Sequence, residues 1–333
     1  MRRILLTALL AVSALQPARP SNLTPQKPNT AAHPYASDTP VNEPRVFAPG
    51  VVSTGDFESH LVFAPDGRTV YFLKDAPDFS FWTIVSSTFR KGRWSEPEVA
   101  PFSGRYSDAD PFVTPDGSHL YFISTRPLDP AKGDAPKDLD IWVVERTPAG
   151  WGTPRNLGAP VNSKGAEWFP TVAANGTIYF GSDREGGRGR TDLYRARLVD
   201  GKYSEAENLG DPVNTQFNEF EPYIAPDESF LIFMGGGRAE GRGGFDLYVS
   251  YNREGRWTKP ENLGDKINSP ANEYSPSISP DGKYFFWTST RGFGAAPLER
   301  RLTYRELSAK LHAPGNGLGD IYQIDLGALN IRR

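Results

Sequence analysis

The chain of 333 residues contains no cysteine. That excludes disulfides, thiolate metal sites, thiol nucleophiles and anchoring through a lipidated cysteine. Histidine is scarce: His33, His60, His119 and His312 are scattered, with no pairing suited to zinc. An excess of one charge is lacking as well. With 37 Lys and Arg against 40 Asp and Glu, the formal charge is −3, which gives no electrostatic case for a nucleic-acid partner. There is no Gly-x-Ser-x-Gly elbow and no evident Ser-His-Asp set. Gly-rich "REGGRGRTD" and "GGGRAEGRGGFD" lack a Walker Lys-Ser/Thr pair and lead toward strands, so turn geometry explains them better than phosphate binding.

Long apolar runs are missing except near the start. "MRRILLTALLAVSALQPARPS" has a basic beginning, an apolar run from Ile4 to Leu15, then small residues and proline. The run is too short to span a bilayer, and the layout is that of a secretory signal, with Val12-Ser13-Ala14 as one cleavage site. We therefore expect residues 1–20 to be a signal peptide, 21–43 a flexible leader and 44–330 the folded domain. The expected location is the periplasm or the exterior, with no membrane span after signal removal. A monomer is expected.

Turn formers, by contrast, are abundant, with 33 glycines and 30 prolines, and they recur in order. Turns at Pro65-Asp66-Gly67, Pro115-Asp116-Gly117, Ala174-Asn175-Gly176, Pro226-Asp227-Glu228 and Pro280-Asp281-Gly282 are spaced 50, 59, 52 and 54 residues apart. Each is followed by a strand-like run ("TVYFLK", "HLYFIS", "TIYFGS", "FLIFMG", "YFFWTS"), a loop and a second such run ("DIWVVER", "DLYVSYN", "DIYQIDL"). Four short strands per unit of about fifty residues is the pattern of a propeller blade. The fifth unit lacks its outer segment, and "EPRVFAPGVVS" near the amino end matches "KPENLGDKINS" of unit four. The expected fold is thus an all-β five-bladed propeller closed by an N-terminal strand, with six blades as the alternative.

The runs "NEYSPSISPDGKYFFWTSTR" and "NEFEPYIAPDESFLIF" resemble the Pro-Asp repeats of TolB-like, WD-repeat-like propellers over residues 44–326. The resemblance implies the fold strongly. For function it implies only a range, from envelope scaffolds and binding modules to some carbohydrate-active enzymes.

Aligned on their turns, the units place Glu58, Asp108, Glu167, Glu219 and Glu273 in one column before the innermost strand. Alternating strand directions put this column on the same face as the loops holding Arg126, Arg184, Arg238 and Arg291. Asp140, Asp192, Asp246 and Asp320 open the third strands. Unit one departs, with Lys74 and Ser80 near those places. Two readings follow for the acids. Either each pairs with an arginine and locks the blades, or the five together bind a sugar or a cation at the channel mouth. Oxygen ligands of that kind suit Ca²⁺; no other cofactor is expected. The same face carries the longest insertion, 292–319, where Thr303 and Glu306 fit a capping box opening a short helix with Leu302, Leu307 and Leu311 on one side. A second insertion, "RPLDPAKGDAPKDLD", precedes Asp140. Arg188, Arg190, Arg242, Arg300 and Arg301 would add a basic rim.

Without a catalytic motif, the leading expectation is a non-enzymatic exported module. It would recognise an envelope protein or glycan through the acid ring and the insertion. The alternative is a carbohydrate-active, glycosidase-like enzyme using channel-mouth carboxylates. A third reading is a purely structural part of a larger envelope assembly.

Overall fold

A computed structural model describes residues 33–129, 131, 138–293, 297–329 and 331. The expected signal peptide lies outside the described residues. Five antiparallel blades follow one another along the chain, each beginning at the centre and working outward. The innermost strands are Phe57–Phe63, Asp108–Val113, Glu167–Val172, Asn218–Ile224 and Glu273–Ile278. Each packs beside the next, and that of blade five meets that of blade one, so the ring is closed. The fold expectation of five blades holds.

Closure works as the repeat pattern implies. Arg45–Val46 pairs antiparallel with Asp320–Asp325, the third strand of blade five, in the register Arg45↔Gln323 and Val46↔Tyr322. This covers an edge that would otherwise offer unpaired amides and carbonyls. Residues 33–43, assigned from sequence to the leader, pack against the propeller. Tyr35 is 1 % exposed among Phe63, Tyr284 and Phe286, and Val41 exchanges hydrogen bonds with Asp325.

The core is a belt of clusters between neighbouring blades, not one centre. Phe122 and Phe180 belong to the cluster joining blades one to three, and Phe285 and Trp287 to that joining four and five. Each strand face is apolar because it faces the next sheet, which is why no blade could stand alone. At the turns, the acidic or amide side chain caps its own backbone as expected. Asp66 accepts from the Arg68 and Thr69 amides, Asn175 from Thr177, and Asp281 from Lys283. The insertion helix spans Tyr304–Leu311 and has the full capping box between Thr303 and Glu306. Tyr304, Leu307 and Leu311 are exposed.

One irregularity is repeated in every blade. The innermost strand slips register between Ser59 and Val62, Ala109 and Phe112, Trp168 and Thr171, Phe220 and Tyr223, and Tyr274 and Ser277. At each bulge one residue takes a left-handed backbone: His60 (φ 55°), Asp110 (54°), Phe169 (45°), Glu221 (53°) and Ser275 (53°). Non-glycine residues adopt that conformation at an expense of about 1–2 kcal/mol, so five equivalent cases mark a built feature. In four units the next residue is proline, which has no amide to lose from the ladder.

Candidate functional site

The column of acids lies just before these bulges and is wholly buried. Glu58, Asp108, Glu167, Glu219 and Glu273 are each 0 % exposed. Glu219 accepts from the Thr215 amide at 3.0 Å, the Thr215 hydroxyl at 2.7 Å and Arg238 Nη2 at 2.9 Å. Glu167 and Glu273 repeat this with Ser163 and Ser269, with serines 182 and 289, and with Arg184 and Arg291. Asp108 meets Arg126 at 2.5 Å, and Glu58 meets Lys74 and Thr54. Each arginine also donates to a carbonyl of the incoming connection, at Phe102, Val161, Val213 or Ile267. It stacks besides on aromatic rings of its own blade, as Arg184 does on Phe180 and Tyr194. Burial pushes the carboxyls of Asp108, Glu167 and Glu219 upward, opposed by these donors. The column therefore ties each blade to the chain that enters it, and its oxygens are engaged in these bonds except Asp108 Oδ2, which is buried without a partner among the described residues.

Asp192 and Asp246 brace their own blades. Asp192 accepts from the Arg188 and Gly189 amides and from Asn208 of the outer strand, and Asp246 from Arg242, Gly243 and Asn262. Asp140 takes Asn156, and Asp320 takes the Gly315 amide of the insertion. Ser80 lies in an exposed turn beside Asp78. Among the described residues no group of three or more His, Asp or Glu side chains is arranged to hold a metal ion. The loop before Asp140 falls partly outside the described residues, and of the basic rim Arg300 is paired with Glu306.

The residues brought together on the axis are instead those of the bulges. His60 Nε2 is 2.9 Å from Asp110 Oδ1 and 3.2 Å from Glu221 Oε1. Asp110 also accepts from the Phe169 amide at 2.8 Å, and Glu221 from the Ser275 amide at 2.5 Å. The His60 amide donates to Thr288, and Thr171 donates to the Pro222 carbonyl. The bulges thus stitch all five blades around the channel. On the other side of the imidazole, Nδ1 donates to Ser59 Oγ at 2.7 Å, and that hydroxyl donates to Asp75 Oδ2 at 2.6 Å.

Burial alone would push the His60 pKa down, but the charges of Asp110 and Glu221 outweigh it and hold the imidazole well above its ordinary value. It is a cation between two carboxylates. Burial pushes Asp75 up to about 6, against the pull of His60 and the Ser59 bond. Its Oδ1 is buried and has no partner among the described residues.

His60, Asp75, Asp110 and Glu221 line a cavity of about 300 Å³ together with the exposed Phe79 and with Trp82, Trp168, Phe220 and Phe245. A second cavity of about 240 Å³ lies toward the Pro-Asp-Gly turns, lined by Pro65, Pro115, Pro226 and Pro280. His60 lines both cavities, so its imidazole stands in the partition between them. Sequence reasoning passed over this site because His60 has no histidine partner. The signal was present two residues after the constant acid, where the units read His, Asp, Phe, Glu and Ser.

No protein-family model and no curated protein matches the sequence. Solved structures do resemble it in fold. An α-L-arabinofuranosidase from Lactobacillus brevis is 12 % identical with a TM-score of 0.49, over 83 % of this chain and 92 % of that one. The catalytic domain of a GH62 α-L-arabinofuranosidase from Coprinopsis cinerea is 13 % identical with a TM-score of 0.47, over 88 % and 97 %. A puromycin-hydrolysing peptidase from Mycobacterium tuberculosis is 15 % identical with a TM-score of 0.41, over 74 % of this chain. The chain spans 36 % of that peptidase's length.

The sequence reading put a non-enzymatic scaffold ahead of an enzyme. That order is corrected. The acid ring on which the scaffold reading relied is buried in ion pairs, while a cavity elsewhere gathers titratable groups.

Proposed function

We propose that the protein is a carbohydrate-active enzyme that cleaves glycosidic bonds in the aromatic-lined cavity. The observation that carries this is the acid–imidazole–acid arrangement of Asp110, His60 and Glu221 beside a third, protonatable carboxyl, Asp75. Glycoside hydrolysis needs one carboxyl to give a proton and another to stay charged, and separate environments set the two roles. Glu221, the more exposed of the pair on His60, is the charged carboxylate facing the sugar. Asp75 is the proton donor. The aromatic walls suit the apolar faces of sugar rings.

The finer assignments belong to the same proposal: repeats of the TolB-like Pro-Asp kind, and export by the amino-terminal segment to the periplasm or beyond. Hydrolysis of plant and microbial polysaccharides and of p-nitrophenyl glycosides provides the test. Glu221→Gln should lose activity on all of them. Asp75→Asn should lose it on polysaccharides but retain part on p-nitrophenyl glycosides, whose leaving group needs little protonation. Turnover untouched by either change, or no turnover anywhere, would sink the reading.

A further inference from the structure

The cavity says more about its ligand than that it is a sugar. Among the described residues that line it three are acids, Asp75, Asp110 and Glu221, and none is a lysine or an arginine. The cation among them, His60, is already held by two of those acids. An anionic sugar would enter against net negative charge with no free cation to receive it, and burying a charge without a partner is strongly unfavourable. The volume, about 300 Å³, is at the low end for ligand pockets. Since the imidazole stands between this cavity and the one behind it, a linear chain cannot thread through; a chain end can enter.

Tyr274 supplies the polar feature with no other employment. It is 8 % exposed, lines the cavity, and packs its ring 5.7 Å from that of His60. Its hydroxyl has no hydrogen-bond partner among the described residues, where buried polar groups are nearly always satisfied. Burial pushes its pKa up, and Asp75 and Glu221 add to that, so it remains an O–H donor.

We propose that the cavity binds the terminal residue of a neutral glycan, that the Tyr274 hydroxyl donates to a sugar oxygen there, and that sugar acids are rejected. This rests on the glycan-cleaving reading, but binding can be measured apart from cleavage. The full chain, as wild type and as Tyr274→Phe, is titrated with L-arabinose, D-xylose, D-glucose and D-galactose, and with D-glucuronic acid and N-acetylneuraminic acid, by calorimetry. The p-nitrophenyl glycosides of the same sugars report cleavage.

The expected result is binding of at least one neutral sugar and of neither acid, weakened about tenfold by Tyr274→Phe, as loss of one hydrogen bond implies. The melting temperature should not fall, because the hydroxyl serves no internal partner. Tighter binding of a sugar acid, binding indifferent to Tyr274→Phe, or no binding of any sugar would each overturn the proposal. Neutral binding without cleavage would uphold the pocket and defeat the enzyme. Cleavage confined to the sugar acids would do the reverse.

Discussion

The imidazole of His60 and the carboxylate of Asp110 meet at 2.9 Å although they belong to neighbouring blades. Each reaches the other because its strand bulges at the same place. His60→Gln would leave Asp110 and Glu221 facing each other without a cation. Breaking a buried pair of this kind costs about 3–5 kcal/mol. The folded-state pKa of His60 is raised, so its contribution is fully present below about pH 6.5, the ordinary histidine value. It is lost as pH rises through the higher folded value. Urea denaturation of wild type and His60→Gln should therefore show a gap that is widest in mildly acidic buffer and narrows in alkali. A gap that widened with pH would contradict the imidazolium.

Glu219 and Glu221 sit two residues apart on one strand and should behave oppositely. Glu219 is fully buried against Arg238 and Thr215. Glu219→Ala should unfold the protein about 3–5 kcal/mol more easily while leaving the turnover of the remaining folded protein near that of wild type. Glu221→Gln keeps an acceptor for the Ser275 amide and leaves Asp110 on His60, and should cost less stability than Glu219→Ala while reducing turnover about 10²–10⁴-fold. Denaturation curves and initial rates on one pair of preparations decide it. Equal rate losses in both variants would return the ring acids to the candidate site.

The fold was legible because its determinants are local and repeated. A Pro-Asp-Gly or related turn caps itself with its own side chain, a strand buried on both faces follows, and in four units an acid four residues after a Ser or Thr receives that residue's amide and hydroxyl. Five copies of such grammar leave little choice of architecture. The site was less legible. Glu219 is conspicuous because every unit repeats it, and repetition signals a structural task. His60, Asp110 and Glu221 differ from one unit to the next, and only the closed ring shows that these unlike residues point at one another. Asp75 and Tyr274 belong to no column, and their oxygens without partners become visible only once burial is known.

Asp320 gives the structure a second pH-sensitive element. Burial pushes its carboxyl up to about 7; the Gly315 amide pulls it down, while the charge of Glu58 raises it and that of Lys74 lowers it. Between about pH 4, where an unfolded aspartate ionises, and 7 the folded state holds more protons than the unfolded one. This group's stabilising contribution is therefore complete below the unfolded value and disappears as pH rises through 7. Asp320→Asn keeps an oxygen for the Gly315 amide but cannot ionise. Its melting temperature should match wild type near pH 4 and exceed it by several degrees at pH 8. A variant less stable than wild type at pH 8 would show that the carboxylate is charged and favourable there.

The ring closes through a short strand, and that brevity makes its contribution testable. Arg45–Val46 pairs with residues Gln323 and Tyr322, Phe47 donates to the Ile321 carbonyl, and Phe47 is 3 % exposed among Phe63, Trp94 and Phe286. Ser53 then repeats, at Ile321, the amide–carbonyl bracket that Asn162 forms at Ile141 and Asn214 at Leu193. A chain begun at His33 retains all of these contacts. One begun at Ala48 loses the strand and the Phe47 side chain, and uncovers the edge of Asp320–Asp325. The shorter chain should melt at lower temperature and associate with itself, since an open edge of five or six residues pairs readily with another copy. Sedimentation and thermal melts of the two chains measure both effects. Identical behaviour would mean that the ring is held by the inner strands alone, and that the amino-terminal strand is an ornament on a circle already complete.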